Sequence, residues 1–251
     1  DVVTVREAGR TGGVVRRRRR EGLWVERGRG AGVAAAEVAL AAVRGGMAPA
    51  LVVERFDIRQ GPDDQRRIAL EDFCSILDLP ASAKYDGTIE RMARGLRPLS
   101  TDPAADLNIL FRRAIFAWLI ADGDMHLKNL ALLKIAEPDA KAFTSVRFAP
   151  LYDAVTTRVF PGLGGDRMAL KLNGKDDRLT RRDFMTLART IGLPQSDAEA
   201  AIAELTGSLA QAVETVRLPA FAAEAEAAAT AQSQILAVTG ERCTALACDA
   251  G

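Results

Sequence analysis

The stretch "ADGDMHLKNL", residues 121–130, gathers Asp122, Asp124, His126, Lys128 and Asn129 between two apolar runs, and His126 is the only histidine in the chain. An aspartate with an asparagine five positions on, here Asp124 and Asn129, suits phosphoryl transfer. That chemistry needs an anionic group to take the proton of an attacking hydroxyl and hard oxygen ligands for Mg²⁺. A second carboxylate must reach the same metal. Asp153 in "PLYDAV", 24 residues after Asn129, follows an apolar segment as such a ligand would. Lys128, between the pair, brings positive charge that could offset the transferring phosphoryl group. D-x-x-x-x-N alone is unspecific. The same residues also suit a capped turn in which Asp122 or Asp124 accepts backbone N–H bonds and His126 is bonded locally.

Other chemistries fit less well. A metal hydrolase needs more histidines than His126. Cys/His catalysis would need a cysteine brought to His126, and Cys74 sits inside a helical pattern. The three cysteines, Cys74, Cys243 and Cys248, are an odd number without a zinc-ligand spacing, as expected of idle thiols in a reducing cytoplasm. A net charge of +1 argues against a polyanion binder, and 48% hydrophobic with 27% charged residues fits a soluble globular protein. "AIFAWLIA", eight residues, is too short to span a bilayer, and no signal peptide is legible.

The elements that must position these residues follow from periodicity. "DLNILFRRAIFAWLIAD" carries Leu107, Leu110, Phe111, Ile115, Trp118 and Leu119 at helical spacing, which assigns Trp118 to the core. "LALLKIA" after the cluster reads as a strand, as does "APALVVERFDI", with Glu54, Phe56 and Asp57 at its end. "GVAAAEVALAAV" reads as an alanine-rich helix containing Glu37, and "RRIALEDFCSILDLP" as a helix ended by Pro80. From Leu179 onward the chain reads as helical, in "TRRDFMTLARTIGL", "SDAEAAIAELTGSLAQAVETV" and "PAFAAEAEAAATAQSQILAVTG", the last stopping at Gly240. The first thirty residues are Gly- and Arg-rich, with five consecutive arginines, Arg16 to Arg20. That block reads as a solvated segment rather than a nucleic-acid platform, since no aromatic residue is interleaved with it.

Five segments together, "ALVVERFD", "LEDFCSILDLPASAKYD", "FAWLIADGDMHLKNLALL", "FAPLYDAVTT" and "MALKLNGK", resemble the HipA family, the toxin kinases of bacterial type II toxin–antitoxin systems. They occur in the family's order and spacing from about residue 34 to 190. The resemblance implies an α+β, protein-kinase-like two-lobed fold. A small mixed α/β part over residues 1–58 would precede a large, mostly helical lobe over residues 59–251. It implies ATP and Mg²⁺ as cofactors and transfer to a Ser or Thr hydroxyl. Family targets include an aminoacyl-tRNA synthetase, and the usual partner is a HipB-like helix-turn-helix antitoxin, so nucleic acid would be met only through that partner. Asp124 matches the family's catalytic aspartate, with His126 and Lys128 recurrent in the same loop. Asn129 and Asp153 match its metal ligands, Glu54 and Phe56 its adenine-meeting hinge, and Glu37 a glutamate of the smaller lobe.

The departures lie at the N-terminal end. Residues 1 to 33 contain no lysine and no serine, whereas the family has a phosphate-covering loop and an ATP-binding lysine there. By register, Glu26 takes the lysine's place with Arg27 beside it, and arginine does not substitute simply for lysine. The expectation is a truncated or eroded member lacking the family's front domain. Two further readings stay open: a pseudokinase acting as a binding module, and a small-molecule phosphotransferase of the aminoglycoside or choline kinase kind.

Overall fold

The structure is a computed structural model that describes residues 3–5, 33–41, 50–60, 65–137, 139–215 and 225–248. Glu26, Arg27 and the arginine block lie outside the described residues.

The strands form three small antiparallel sheets. β1 (Val3–Val5), β2 (Val38–Ala41) and β3 (Ala50–Glu54) form one, with β3 in the middle. β4 (Ile58–Gln60) and β5 (Gln65–Arg67) pair as a second. β6 (Ala69–Asp72), β7 (Ala131–Ile135) and β8 (Ser145–Phe148) form the third, in that order. The helices are α1 (Phe73–Ile76), α2 (Ile89–Leu96), α3 (Pro103–Leu119), α4 (Arg181–Thr190), α5 (Gln195–Thr215) and α6 (Ala225–Cys248). The expected α+β class holds, and among the described residues no helix is long and apolar enough to cross a membrane.

Helix α3 is the axis of the helical part. Asp102 caps it, its carboxylate accepting from Ala105 N at 3.2 Å, and Pro103 opens its first turn where no N–H is needed. Leu110, Phe111, Ala114, Ile115 and Leu119 are fully buried on it. α2, α5 and α6 all pack against α3. Phe111 meets Phe184 of α4 edge-on, with ring centroids 6.3 Å apart. Trp118 is core, as expected, and the Arg242 guanidinium of α6 lies 3.7 Å above its ring while donating to the Trp118 carbonyl.

Three expectations fail, each for a tertiary reason. Residues 38–41 form a strand and not a helix: Val38 to Ala41 lie in register with Val53 to Ala50, and that pairing outweighs the weak helix preference of alanine. The expected helix of residues 66–80 is mostly strand, since Ala69 to Asp72 pair with Lys134 to Ala131 and leave only Phe73–Ile76 helical. The last helix continues past Gly240 to Cys248 because Cys243 and Leu246, beyond the glycine, are buried in the core.

Two carboxylates stitch the layers together. Asp106 of α3, fully buried, accepts from Ser100 Oγ at 2.6 Å, Arg147 Nε at 3.1 Å and Phe148 N at 3.2 Å, tying the helix to β8. Asp72, at the end of β6, caps α1 by accepting from Ser75 N at 3.1 Å and pairs with Lys128 Nζ at 2.5 Å. Burial pushes the Asp72 carboxyl up, but the Lys128 ammonium and the Ser75 and Cys74 N–H groups outweigh it and hold it below its ordinary value. The Lys128 ammonium is raised in turn by its hydrogen bond and charge pairing with Asp72.

Replacing Asp106 with alanine strands the Phe148 N–H and removes the buried anion, so urea denaturation of Asp106→Ala should show a loss of about 3 kcal/mol. The Asp72–Lys128 pair is partly exposed and contributes about 0.5 kcal/mol. Because the Asp72 pKa is lower in the folded chain than in the unfolded one, that contribution is complete above about pH 4 and fades as pH falls through the lowered value. Because the Lys128 pKa is raised, it is kept up to about pH 10 and lost as pH rises further. Asp72→Asn keeps the cap and removes the charge. It should therefore be about 0.5 kcal/mol less stable at pH 7, a gap that closes toward pH 2 in the same denaturation experiment.

Candidate active site

The site is built on the loop that joins α3 to β7. Helix α3 ends with Ile120 N bonded to the Phe116 carbonyl, and Ala121 then turns the chain at φ +56°, a left-handed conformation costly for a residue with a Cβ. Asp122, buried, accepts from Asp124 N at 3.0 Å. His126 N donates to the Asp124 carbonyl at 2.8 Å, and Asn129 N to the His126 carbonyl at 2.9 Å. The Asn129 amide nitrogen reaches the same Asp124 carbonyl at 2.8 Å. That bond commits the amide nitrogen and leaves the Asn129 amide oxygen as the side chain's acceptor. The turn is thus capped by Asp122, as the capped-turn reading expects, and also closed by the two residues whose spacing defined it.

Tyr85, not singled out by the sequence, donates its hydroxyl to Asp124 Oδ1 at 2.8 Å. Its ring stands edge-on to His126 with centroids 5.1 Å apart, and His126 Nε2 lies 3.9 Å from the same Asp124 oxygen. Leu127 N bonds the Lys84 carbonyl at 3.0 Å, so the Tyr85 segment is laced to the loop by backbone as well. A Cβ on Gly87 would fall 2.7 Å from a Leu127 methyl group, which explains glycine at that crossing. Lys128 points at Asp72 and not at Asp124. Tyr85 carries no spacing signal of its own, since its contact spans 39 residues.

Two straps hold the Asp153 segment alongside this loop. Tyr152 donates to the Lys128 carbonyl at 3.1 Å. Four residues after Asp153, Thr157 N and Oγ1 donate to the Ala121 carbonyl at 3.0 and 3.2 Å, while Gly123 N donates to Thr157 Oγ1 at 3.1 Å. Asp153 itself adopts φ +57°, a conformation aspartate tolerates better than most residues. Backbone bonds from Ala36 N to the Leu151 carbonyl and from Leu151 N to the Ala34 carbonyl, 2.9 and 2.7 Å, join the first sheet's chain to the same segment. Phe56 stacks obliquely on Tyr152, ring centroids 5.6 Å apart, which brings one of the two expected hinge residues beside Asp153. Glu54 is exposed at the end of β3, its N–H bonded to the Glu37 carbonyl at 2.9 Å.

Behind this segment Arg113 is completely buried, donating to the Ala149 carbonyl with its guanidinium 5.0 Å from the Phe148 ring. Burial lowers its pKa to about 10, so it remains a cation at neutral pH. Burial also pushes the Tyr152 phenol well above its ordinary value, against the pull of Arg113. Tyr152 is therefore a neutral donor at any working pH.

Among the described residues, no group of three or more His, Cys, Asp or Glu could form a metal cage. By residue type, Asn129 and Asp153 would offer a metal one amide oxygen and one carboxylate, a sparse hard-oxygen set. That fits Mg²⁺, which keeps waters and takes its remaining ligands from substrate phosphates.

The chain is similar to known proteins in sequence and in fold. Residues 11–213 match the HipA-like C-terminal domain family. "Putative kinase Y4mE" of Sinorhizobium fredii is 33% identical over 176 residues, covering 67% of this chain and 40% of that protein. "Putative kinase Y4dM" of the same organism is 33% identical over 108 residues, 43% of this chain and 24% of its own length. The chain therefore spans less than half of either kinase. Among solved structures, the Shewanella oneidensis toxin–antitoxin complex of HipA, HipB and operator DNA contains a chain that superposes with a TM-score of 0.72. The identity is 20%, and the match covers 98% of this chain and 58% of that one. The Helicobacter pylori proinflammatory kinase CtkA superposes at 0.59 with 14% identity, over 96% of this chain and 90% of CtkA. The fold is thus kinase-like, and with a match running from residue 11 to residue 213 of 251, the chain belongs to the family of HipA-like C-terminal domains.

Proposed function

We propose that this chain is the core of a HipA-like serine/threonine protein kinase that transfers the γ-phosphate of ATP to a protein hydroxyl in the cytoplasm, as the toxin half of a type II toxin–antitoxin pair. The observation that carries the reading is the hydrogen bond from the Asn129 amide to the Asp124 carbonyl, which sets a carboxylate and a hard amide oxygen on one short turn. In this reading residues 1–58 supply the adenine side of the site, with Glu54 and Phe56 as hinge, and residues 59–251 carry the catalytic loop. Asn129 and Asp153 would hold Mg²⁺. Bound MgATP supplies the phosphoryl group and the charge that neutralises it.

The chain's own residues do the rest. Asp124 orients the acceptor hydroxyl and takes its proton. Tyr85 holds Asp124 Oδ1 and so restricts the carboxylate to one orientation. His126, packed against Tyr85, and Lys128, paired with Asp72, are positioning residues that keep the turn closed. A HipB-like helix-turn-helix antitoxin is the proposed partner, supported by the HipA–HipB–DNA complex of the Shewanella relative. An aminoacyl-tRNA synthetase is the proposed substrate on the family resemblance. One observation favours a second reading, that of a pseudokinase acting as a binding module: residues 1–33 contain no lysine to meet the nucleotide's phosphates.

MgATP at a hundred times its dissociation constant should stabilise the chain by about 2.7 kcal/mol, read as a rise in Tm. Asp153→Ala should abolish that rise. Asp124→Ala should keep it while lowering phosphate transfer from labelled ATP at least about a hundredfold. Absence of any MgATP-dependent shift in the unsubstituted chain selects the pseudokinase. Tyr85→Phe removes one hydrogen bond to the carboxylate, about 1 kcal/mol, and should lower kcat about fivefold with KM for ATP unchanged.

A further inference from the structure

Beside Asp124 opens a cleft of about 660 Å³, within the size range of ligand sites. Val155, Phe160, Leu163 and Met168 supply an apolar wall, and Tyr85 and Asp124 line the cleft as well. The charged groups in it already have protein partners. Asp124 accepts from Tyr85, and Asp166 accepts from Arg167 N at 3.0 Å. Arg167 pairs with Asp176 at 3.3 Å.

The wall is fixed to the catalytic loop through Thr157 and through Asp166. A Cβ on Gly123 would fall 2.2 Å from Asp166 Oδ2, so the Asp166 carboxylate rests directly on the Gly123 backbone, and Arg158 Nε holds the Asp166 carbonyl at 2.8 Å. The rim is different. Leu163 is 43% exposed and Tyr85 46% exposed, so the rim carries apolar surface to water where it adjoins the apolar wall of the cleft. Gly162 turns there at φ +81°. Cβ atoms on Gly164 and Gly165 would meet nothing within 4 Å, so packing does not impose those glycines. Leu163 itself is held in place, its N–H donating to the Phe160 carbonyl at 3.0 Å and its carbonyl accepting from Asp166 N at 2.9 Å.

From this we infer that the cleft binds an extended protein segment whose Ser or Thr lies at Asp124 and whose neighbouring residue, within two positions, is a large apolar side chain packed on Phe160, Leu163 and Met168. The inference rests on the kinase reading for the role of Asp124. Three features argue for this occupant: an open mouth that admits a chain rather than enclosing a small molecule, a hydroxyl-directing group, and an apolar wall beside it whose nearby charges are internally paired. In the transfer itself, the acceptor oxygen forms a bond to the γ-phosphorus as the bond to the β-bridging oxygen breaks, ADP leaves, and Asp124 takes the hydroxyl proton.

The test uses fluorescent peptides carrying one Ser, with Leu, Ala, Lys or Asp at each of the two positions on either side. Fluorescence anisotropy measures binding, and labelled MgATP measures transfer. At one flanking position, Leu should bind about tenfold more tightly than Ala, and the charged residues more weakly than either. Leu163→Asp, at an exposed site where folding is checked by circular dichroism, should bring the Leu-to-Ala ratio to about one. Phosphorylation of a peptide should follow the same preference. Equal binding of all peptides, a preference that survives Leu163→Asp, or transfer to small alcohols and not to peptides would each overturn the inference. The two readings separate cleanly. A Leu preference in binding without any transfer keeps the cleft and removes the kinase, while transfer without any flanking preference does the reverse.

Discussion

One hydrogen bond organises the centre of this molecule, the 2.8 Å contact from the Asn129 side chain to the backbone oxygen of Asp124. It spans five residues and is made by a side chain to the main chain of the very residue whose carboxylate matters. The loop cannot open without stranding a buried amide. The closure also settles orientation, because an asparagine has one nitrogen and one oxygen at its tip and the main chain claims the nitrogen. The rest of the site is arranged around this hydrogen-bonded turn.

The supports are distributed over elements remote in sequence. Helix α3 delivers the loop, the end of β6 braces it through Asp72, and the Tyr85 segment seals one side. The Asp153 segment is strapped on the other side through Tyr152 and Thr157. Two non-glycine residues, Ala121 and Asp153, sit in the left-handed region at the points where the two segments turn. Such conformations persist only where the surroundings over-determine them. Here those surroundings are the core helix before the first and the pair of straps around the second.

Much of this was legible from residue types. The apolar stripe of α3, the strand after the loop, the helical C-terminal part and the loop's own Asp124–Asn129 spacing are local patterns, and periodicity captures local patterns. Residues 38–41 and 69–72 were misread because their state is decided by a partner strand. A run of alanines favours a helix only weakly, and a strand across from Val52 and Val53 suffices to reverse it. Gly240 misled in the same way, as a stop signal overridden by buried side chains beyond it. Tyr85 and Asp72 lay within a segment that resembles the family, yet their partners lie 39 and 56 residues away. No spacing rule connects them, and only the folded chain shows which carboxylate and which cation they serve.

Arg113 has an electrostatic consequence of another kind. Dissolved ions mask charges at a protein's surface over about 10 Å, but they do not enter a sealed interior. A guanidinium with no access to water, retaining its proton at every physiological pH, therefore sets a constant positive potential behind Tyr152 and the backbone leading to Asp153. The field of the exposed Arg167 at the cleft will fade and recover with ionic strength. The charge of Arg113 will not, so the backbone around Tyr152 and Asp153 keeps a fixed electrical bias in dilute and concentrated salt alike.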